Sequence, residues 1–297
     1  MASRTSLSNS APPLAGIIPA LVTPLTGNQD VNVPVLERLL DAVYKSGVHG
    51  VYLCGNTGEG KLLPPASRRL ILETAMRCSP PGKIVIAHVG SDDLNIAVDL
   101  AAHAADLGVH AISSLPPNRD FAAIHGYYAK LTPSTRVPFL IYYFPDVAPG
   151  IRTLPQIEEL AALPNVAGLK FTDFDLYRLS MLSRRGLILF NGRDEVLAAG
   201  LLMGAAGAIG SFYNVVPQCA LNIYRAACNA DFVTARTSQD RLNDLITACL
   251  KYPLIPALKQ ILGWRGFDCG PSLGSRELTR DETSELRRAL DLVGDLA

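Results

Sequence analysis

At 297 residues, with 27 Lys plus Arg balancing 27 Asp plus Glu, the chain has no net field that would gather nucleic acid or an anionic membrane surface around it. The length is about that of one α/β barrel with a short extension and is enough to bury a large core, so one catalytic domain acting on small molecules is expected. The six cysteines, Cys54, Cys78, Cys219, Cys228, Cys249 and Cys269, form no CxxC pair and no Cys/His cluster at metal-ligand spacing, so no metal centre is expected and a reduced, cytoplasmic chain is.

Residues 1–14 are rich in Ser, Ala and Pro and lack a continuous apolar core, which reads as a flexible tail rather than a secretory signal. An arginine and no acid in that segment leave a short organelle leader as the alternative. From there, apolar runs of strand length recur at 17–22, 50–54, 84–89, 111–115, 139–143, 166–170, 187–191 and 207–210. Stretches of helical period lie between them, at 33–45, 65–77, 94–107, 122–131, 154–160, 176–182 and 195–203. This alternation predicts a parallel sheet closing into a (β/α)8 TIM barrel over residues 15–229. The uncharged stretch 196–212 has nearly the length of a membrane span, but Gly200, Gly204, Gly207 and Gly210 break it, and a buried helix running into a buried strand is expected. Only helical stretches follow, at 215–229, 232–250, 256–263 and 280–296, with breaks at Pro253, Pro256 and 266–274. The first completes the barrel, and the rest predict a C-terminal helical extension over 230–297.

Catalytic groups in such a barrel stand at the carboxyl ends of the strands. The second strand ends in Cys54-Gly55-Asn56-Thr57-Gly58-Glu59-Gly60, where glycines expose consecutive N–H groups to a carboxylate and Asn56 and Thr57 add donors. An ordinary tight βα turn is the other reading. The sixth strand closes on Lys170. A charged ammonium inside a barrel mouth is costly unless paired, and desolvation favours the neutral, nucleophilic amine that imine formation needs. The alternative is a lysine that snorkels out of the strand end. At the end of the fifth strand side chains alternate, so only one of Tyr142 and Tyr143 points into the barrel, where a tyrosine beside an imine can shuttle a proton.

Gly192-Arg193-Asp194-Glu195 and Ser211-Phe212-Tyr213-Asn214, after the seventh and eighth strands, add carboxylates and hydroxyls to the same rim and suit a polyhydroxylated substrate. Asp194 and Glu195 are equally readable as first-turn acids of the next helix, and Thr172 and Asp173 as caps. His88 reads as a satisfied core histidine. There is no P-loop, dinucleotide GxGxxG or Ser/His/Asp order.

Taken in order on these strand ends, Gly55-Asn56-Thr57-Gly58-Glu59, Tyr142 with Pro145, Gly168-Leu169-Lys170, Gly192-Arg193-Asp194-Glu195 and Gly207-Ala208-Ile209-Gly210-Ser211 resemble the class I pyruvate aldolases. That family includes dihydrodipicolinate synthase and N-acetylneuraminate lyase, and the resemblance runs from about Gly16 to the end of the chain. Ala87-His88-Val89-Gly90, Lys170-Phe171-Thr172-Asp173 and Gly210-Ser211-Phe212-Tyr213-Asn214 are similar to the N-acetylneuraminate lyase branch in particular. The resemblance implies that Lys170 forms the imine, Tyr142 handles the proton, Asn56 and Thr57 hold the pyruvyl carboxylate, and Thr172, Gly192, Asp194, Glu195 and Ser211 meet the hydroxylated tail.

It implies a Schiff-base lyase that cleaves a 2-oxo sugar acid such as N-acetylneuraminate to pyruvate and an aldehyde, without metal or organic cofactor, as a homotetramer. A 2-oxo-3-deoxy sugar acid aldolase or dehydratase, a condensing enzyme of the synthase type, and a non-catalytic 2-oxo acid-binding regulator are the alternatives. Val147 stands where synthases carry an arginine for the aldehyde substrate's carboxylate, which disfavours lysine biosynthesis. The aromatic loop after the fourth strand is shortened to Leu115-Pro116-Pro117-Asn118-Arg119-Asp120, Asn56 replaces the usual Ser or Thr, and Phe212 replaces a small polar residue.

Overall fold

The computed structural model describes residues 13–117 and 119–293, so the first twelve residues of the expected tail lie outside the described part. Eight strands, β1 (Gly16–Pro19), β2 (Gly50–Leu53), β3 (Ile84–His88), β4 (Ala111–Ser114), β5 (Phe139–Tyr143), β6 (Val166–Phe171), β7 (Ile188–Asn191) and β8 (Gly207–Gly210), form one parallel sheet. Its order is β1-β8-β7-β6-β5-β4-β3-β2. The two ends of that order meet through a parallel bridge between Ala20 and Tyr52, where the Leu21 N–H donates to Tyr52 O at 2.9 Å.

Each strand is buried on both faces, which is why the runs read as continuous rather than alternating. One face fills the barrel with Ile18, Ala20, Tyr52, Ile84, Ile86, Ala111, Leu140, Phe190 and Ile209, and Leu14 and Ile188 pack against this set. The other face packs on α1 (Val33–Lys45), α2 (Pro65–Cys78), α3 (Leu94–Asp106), α4 (Phe121–Leu131), α5 (Leu154–Ala161), α6 (Leu176–Ser183), α7 (Leu197–Leu202) and α8 (Pro217–Cys228). Local chemistry starts these helices. Asn32 accepts the Val35 N–H ahead of α1, and Thr153 with Gln156 makes a capping box for α5.

The helix expected from residue 195 begins two residues later, after a 3-10 turn over Asp194–Val196. Asp194 is turned inward to the Phe212 N–H at 3.0 Å, leaving neither helical start with a side-chain cap. The uncharged stretch 196–212 becomes α7 and β8, and among the described residues no single helix is long and apolar enough to cross a membrane. After the barrel come α9 (Phe232–Cys249), α10 (Leu254–Trp264) and α11 (Arg280–Val293). Pro256 lies inside the first turn of α10 rather than at its start, a position where no intrahelical N–H donor is needed.

One irregularity orients the sheet's central polar side chain. Phe139 on β5 pairs with Val166 but Leu140 pairs with Gly168, so Ala167 is an extra residue in β6. Val166 packs outward with Phe139, whereas Gly168 and Lys170 share the inward phase of Leu140 and Tyr142. Gly168 makes the bulge possible, because a Cβ there would lie 1.8 Å from Ile188 O.

Candidate active site

Lys170 pairs in register with Tyr142 at the carboxyl end of the barrel and is 5% exposed. Its Nζ lies 4.1 Å from the centre of the Tyr142 ring and 4.6 Å from that of Tyr52. Among the described residues it forms no ion pair and no hydrogen bond. The snorkelling alternative is therefore not what the chain adopts: the amine is enclosed by ring faces. Tyr142 points inward, stands edge-on to Tyr52 and His88, and stacks on Phe144. Tyr143 takes the opposite face, donating to Asp173 Oδ2 at 3.1 Å and accepting from Arg178. Burial pushes the Tyr143 hydroxyl up to about 12.

The loop after β2 is bent by left-handed backbone at two residues other than glycine, Cys54 (φ 57°) and Glu59 (φ 54°). Its Glu59 and Gly60 N–H groups are taken up internally by Asn56 O and Gly55 O, while those of Thr57 and Gly58 find no acceptor among the described residues. Thr57 is buried and its Oγ1 lies 2.6 Å from Ser211 Oγ, joining the loops after β2 and β8. The Asn56 side chain is exposed, so the loop offers Thr57 and its own backbone inward more directly than Asn56.

Thr172 is buried with its hydroxyl unpartnered among the described residues. A Cβ on Gly192 would stand 2.1 Å from that hydroxyl, so only glycine leaves it room. Neither Thr172 nor Asp173 caps α6; Asp175 does, accepting the Arg178 N–H at 2.9 Å. Glu195 is half-buried beside Asp194. From outside, α9 braces this turn: Gln239 Nε2 donates to Asp194 O at 2.9 Å, and Asn243 Nδ2 to Glu195 O at 3.2 Å. On the neighbouring strand Asn214 ties the loop after β8 to the segment that follows β1, donating to Ala20 O at 2.7 Å and accepting the Val22 N–H at 3.1 Å.

Asp194 is fully buried, and burial pushes its carboxyl from 3.8 up to about 6, outweighing the Phe212 N–H and the Tyr213 hydroxyl that favour its charge. The folded chain thus holds this proton more tightly than the unfolded chain does. The associated stability is complete below about pH 3.8 and declines as pH rises towards 6. A shift of that size corresponds to about 3 kcal/mol. Asp194→Asn removes the titration, so between about pH 4 and about pH 6.5, where most of that shift is expressed, the stability of the variant should gain about 2 kcal/mol on the wild type. Urea unfolding at the two pH values checks this; a difference that stays constant contradicts it.

Sequence reasoning passed over two parts of the site. Tyr52, in the middle of the apolar run 50–54, forms the surface beneath Lys170, and its hydroxyl donates to Ser113 Oγ at 3.3 Å. Its only signal is even spacing along β2 towards the rim. Glu59 turns away from the barrel to the C-terminal extension. Its Oε1 accepts the N–H groups of Leu273 and Gly274 at 2.7 and 3.0 Å, and its Oε2 pairs with Lys259 at 3.2 Å, both side chains being 4% exposed. Lys259 also donates to Pro271 O at 2.6 Å. The loop after β2 is thereby fastened to the segment between α10 and α11. Lys259→Met leaves a buried carboxylate without its counter-charge and should lower the unfolding free energy by about 3–5 kcal/mol. A loss below about 1 kcal/mol in urea titration would show that the pair carries little weight.

His88 is a core histidine, as expected, but only half satisfied. Its Nε2 accepts the Leu115 N–H at 3.0 Å, so the neutral ring carries its proton on Nδ1, which is buried without a hydrogen-bond partner among the described residues. Burial, with Arg68 and Lys170 adding repulsion, holds it well below the usual imidazole range. Among the described residues no group of three or more His, Cys, Asp or Glu side chains converges on one point.

The lysine enclosed by tyrosines, the glycine loop and the hydroxyl-bearing rim stand within a stretch that a family model covers: that of the dihydrodipicolinate synthetase family matches residues 13–292. The chain belongs to this family. Among curated family relatives, the N-acetylneuraminate lyase of Rhizobium meliloti is 32% identical over 283 residues, 93% of this chain and 94% of the relative. N-acetylneuraminate lyase 2 of Escherichia coli O6:H1 is 34% identical over 261 residues, 85% of each chain. The solved sialic acid aldolase of Ruminococcus gnavus superposes with a TM-score of 0.90 at 27% identity, covering 95% of this chain and 97% of the other. The N-acetylneuraminate lyase of Mycoplasma synoviae does so with 0.85 at 29% identity, over 93% and 97%. This member of the family is a carbon–carbon lyase with small-molecule substrates, a class I pyruvate aldolase like the N-acetylneuraminate lyases.

Proposed function

We propose that the chain cleaves a 3-deoxy-2-oxo sugar acid, the class to which N-acetylneuraminate belongs, through a Schiff base on Lys170. The observation that carries this reading is the Lys170 amine, enclosed at the barrel mouth by two tyrosine faces with no carboxylate paired to it among the described residues. The amine adds to the 2-oxo carbon and water leaves, giving a protonated imine whose charge the Tyr52 and Tyr142 faces favour. Tyr142 takes the proton of the C4 hydroxyl, the bond between C3 and C4 breaks, and its electron pair moves into the imine as the aldehyde departs. The enamine is protonated at C3, and water then releases pyruvate and the free amine.

In this reading the unpaired N–H groups of Thr57 and Gly58, with the Thr57 and Asn56 side chains, receive the pyruvyl carboxylate. Thr172, Gly192, Asp194, Glu195 and Ser211 face the hydroxylated remainder. The names of the relatives favour cleavage over dehydration, and a dehydratase would release no pyruvate. The test is borohydride reduction in the presence of pyruvate followed by peptide mass analysis. A carboxyethyl group on Lys170 is the expected result, and its absence removes the proposal. The same reading makes the protein a cytoplasmic homotetramer, for which light scattering of the purified chain is the check.

A further inference from the structure

The steps above make no use of a cation held on the rim between the loops after β5, β6 and β7. Arg193 lies between two phenyl faces, its guanidinium carbon 5.3 Å from the centre of Phe144 and 4.5 Å from that of Phe174. Phe144 in turn stacks on Tyr142, with ring centres 5.9 Å apart and planes inclined by 12°. Four planar groups, Tyr142, Phe144, Arg193 and Phe174, are thus layered outward from the tyrosine that faces Lys170.

Arg193 is paired with Asp146, and the two partners differ sharply: the arginine side chain is 18% exposed and the aspartate 63%. Neither Asp194 nor Glu195, its neighbours in sequence, pairs with it, and its Nε is buried without a partner among the described residues. The guanidinium is therefore fixed by the rings, while its counter-ion is the loosely held member. Ion pairs with an exposed partner contribute little and exchange readily, whereas a planar guanidinium offers a carboxylate two parallel donors.

We infer that Arg193 determines specificity for the aldehyde half of the substrate, and that this half ends in a carboxylate that takes the place of Asp146. The substrate class is then a 3-deoxy-2-oxo sugar diacid. Its first carboxylate goes to the loop after β2, its hydroxyls to Thr172, Asp194 and Glu195, and its terminal carboxylate to Arg193. This rests on the Schiff-base reading of Lys170. A terminal hydroxymethyl group offers nothing that competes with Asp146, so the corresponding monoacid gains no contact there.

The test compares pyruvate release from a 2-oxo-3-deoxy-hexarate and from a 2-oxo-3-deoxy-hexonate of matching stereochemistry. The ratio of their kcat/KM values should favour the diacid in the wild type. Arg193→Gln should lower that ratio about 30-fold, the worth of a charge-assisted hydrogen-bond pair. Asp146→Asn, which removes the competing anion, should raise it. A ratio unmoved by both substitutions, or a wild type that prefers the monoacid, overturns the inference. Trapping of pyruvate on Lys170 is followed in every variant: trapping without discrimination sinks only the role of Arg193, and loss of trapping in the wild type sinks the lyase reading itself. Should Arg193→Gln fail to fold, the Asp146→Asn ratio still decides.

Discussion

Lys170→Ala should abolish pyruvate release, lowering kcat by a factor on the order of 10⁴–10⁶, the usual consequence of removing a covalent nucleophile. Lys170→Arg should do no better, because a guanidinium stays protonated and cannot add to a carbonyl. The position tolerates both changes sterically more readily than chemically, since Nζ contacts ring faces and has no hydrogen bond among the described residues to lose. Thermal unfolding should accordingly remain cooperative in both variants. Steady-state assays with a 2-oxo sugar acid provide the check; retention of more than about 1% of the activity in either variant would mean that the reaction does not pass through an imine at this residue.

Tyr142→Phe should reduce kcat by about 10²–10⁴, the range for loss of a general acid–base group, while pyruvate remains trappable on Lys170 by borohydride. The separation of those two readouts is the point of the experiment. Removing the hydroxyl leaves the ring that covers Lys170 and stacks on Phe144, so imine formation keeps its surroundings and only the proton transfer at C4 is impaired. Tyr143→Phe is the control. Its hydroxyl belongs to the outer face with Asp173 and Arg178, and its removal should alter kcat by no more than a few-fold, with some loss of stability from the broken network. Equal losses in the two variants would mean that Tyr142 acts only through packing.

Between them these residues mark how far the sequence could be read. That a lysine closes the sixth strand, and that glycines, hydroxyls and acids follow five of the strands, is visible in the order of residues. That Asp194 accepts the Phe212 N–H instead of capping α7 is not, because the two groups lie on different loops and the choice depends on how deeply the carboxylate is buried. Tyr52 was passed over because an aromatic residue in an apolar run looks the same whether it fills the core or underlies a reactive amine. Glu59 stands in the glycine loop with nothing local to say where it turns, because Lys259, its partner, is 200 positions away.

What the sequence determined by itself is the succession of strands and helices, because strand and helix periods and cap residues act over a few positions and are set by backbone geometry. Tertiary structure alone decided the direction in which the polar side chains point. The extra residue Ala167 rotates β6 so that Lys170 meets Tyr142, and its phase depends on pairing with β5. The Thr57 to Ser211 contact, the Glu59 to Lys259 pair and the layering of Arg193 between Phe144 and Phe174 likewise join segments remote in sequence. Such contacts form only when closure of the barrel removes water from between the loops, and no local pattern encodes which partners that leaves face to face.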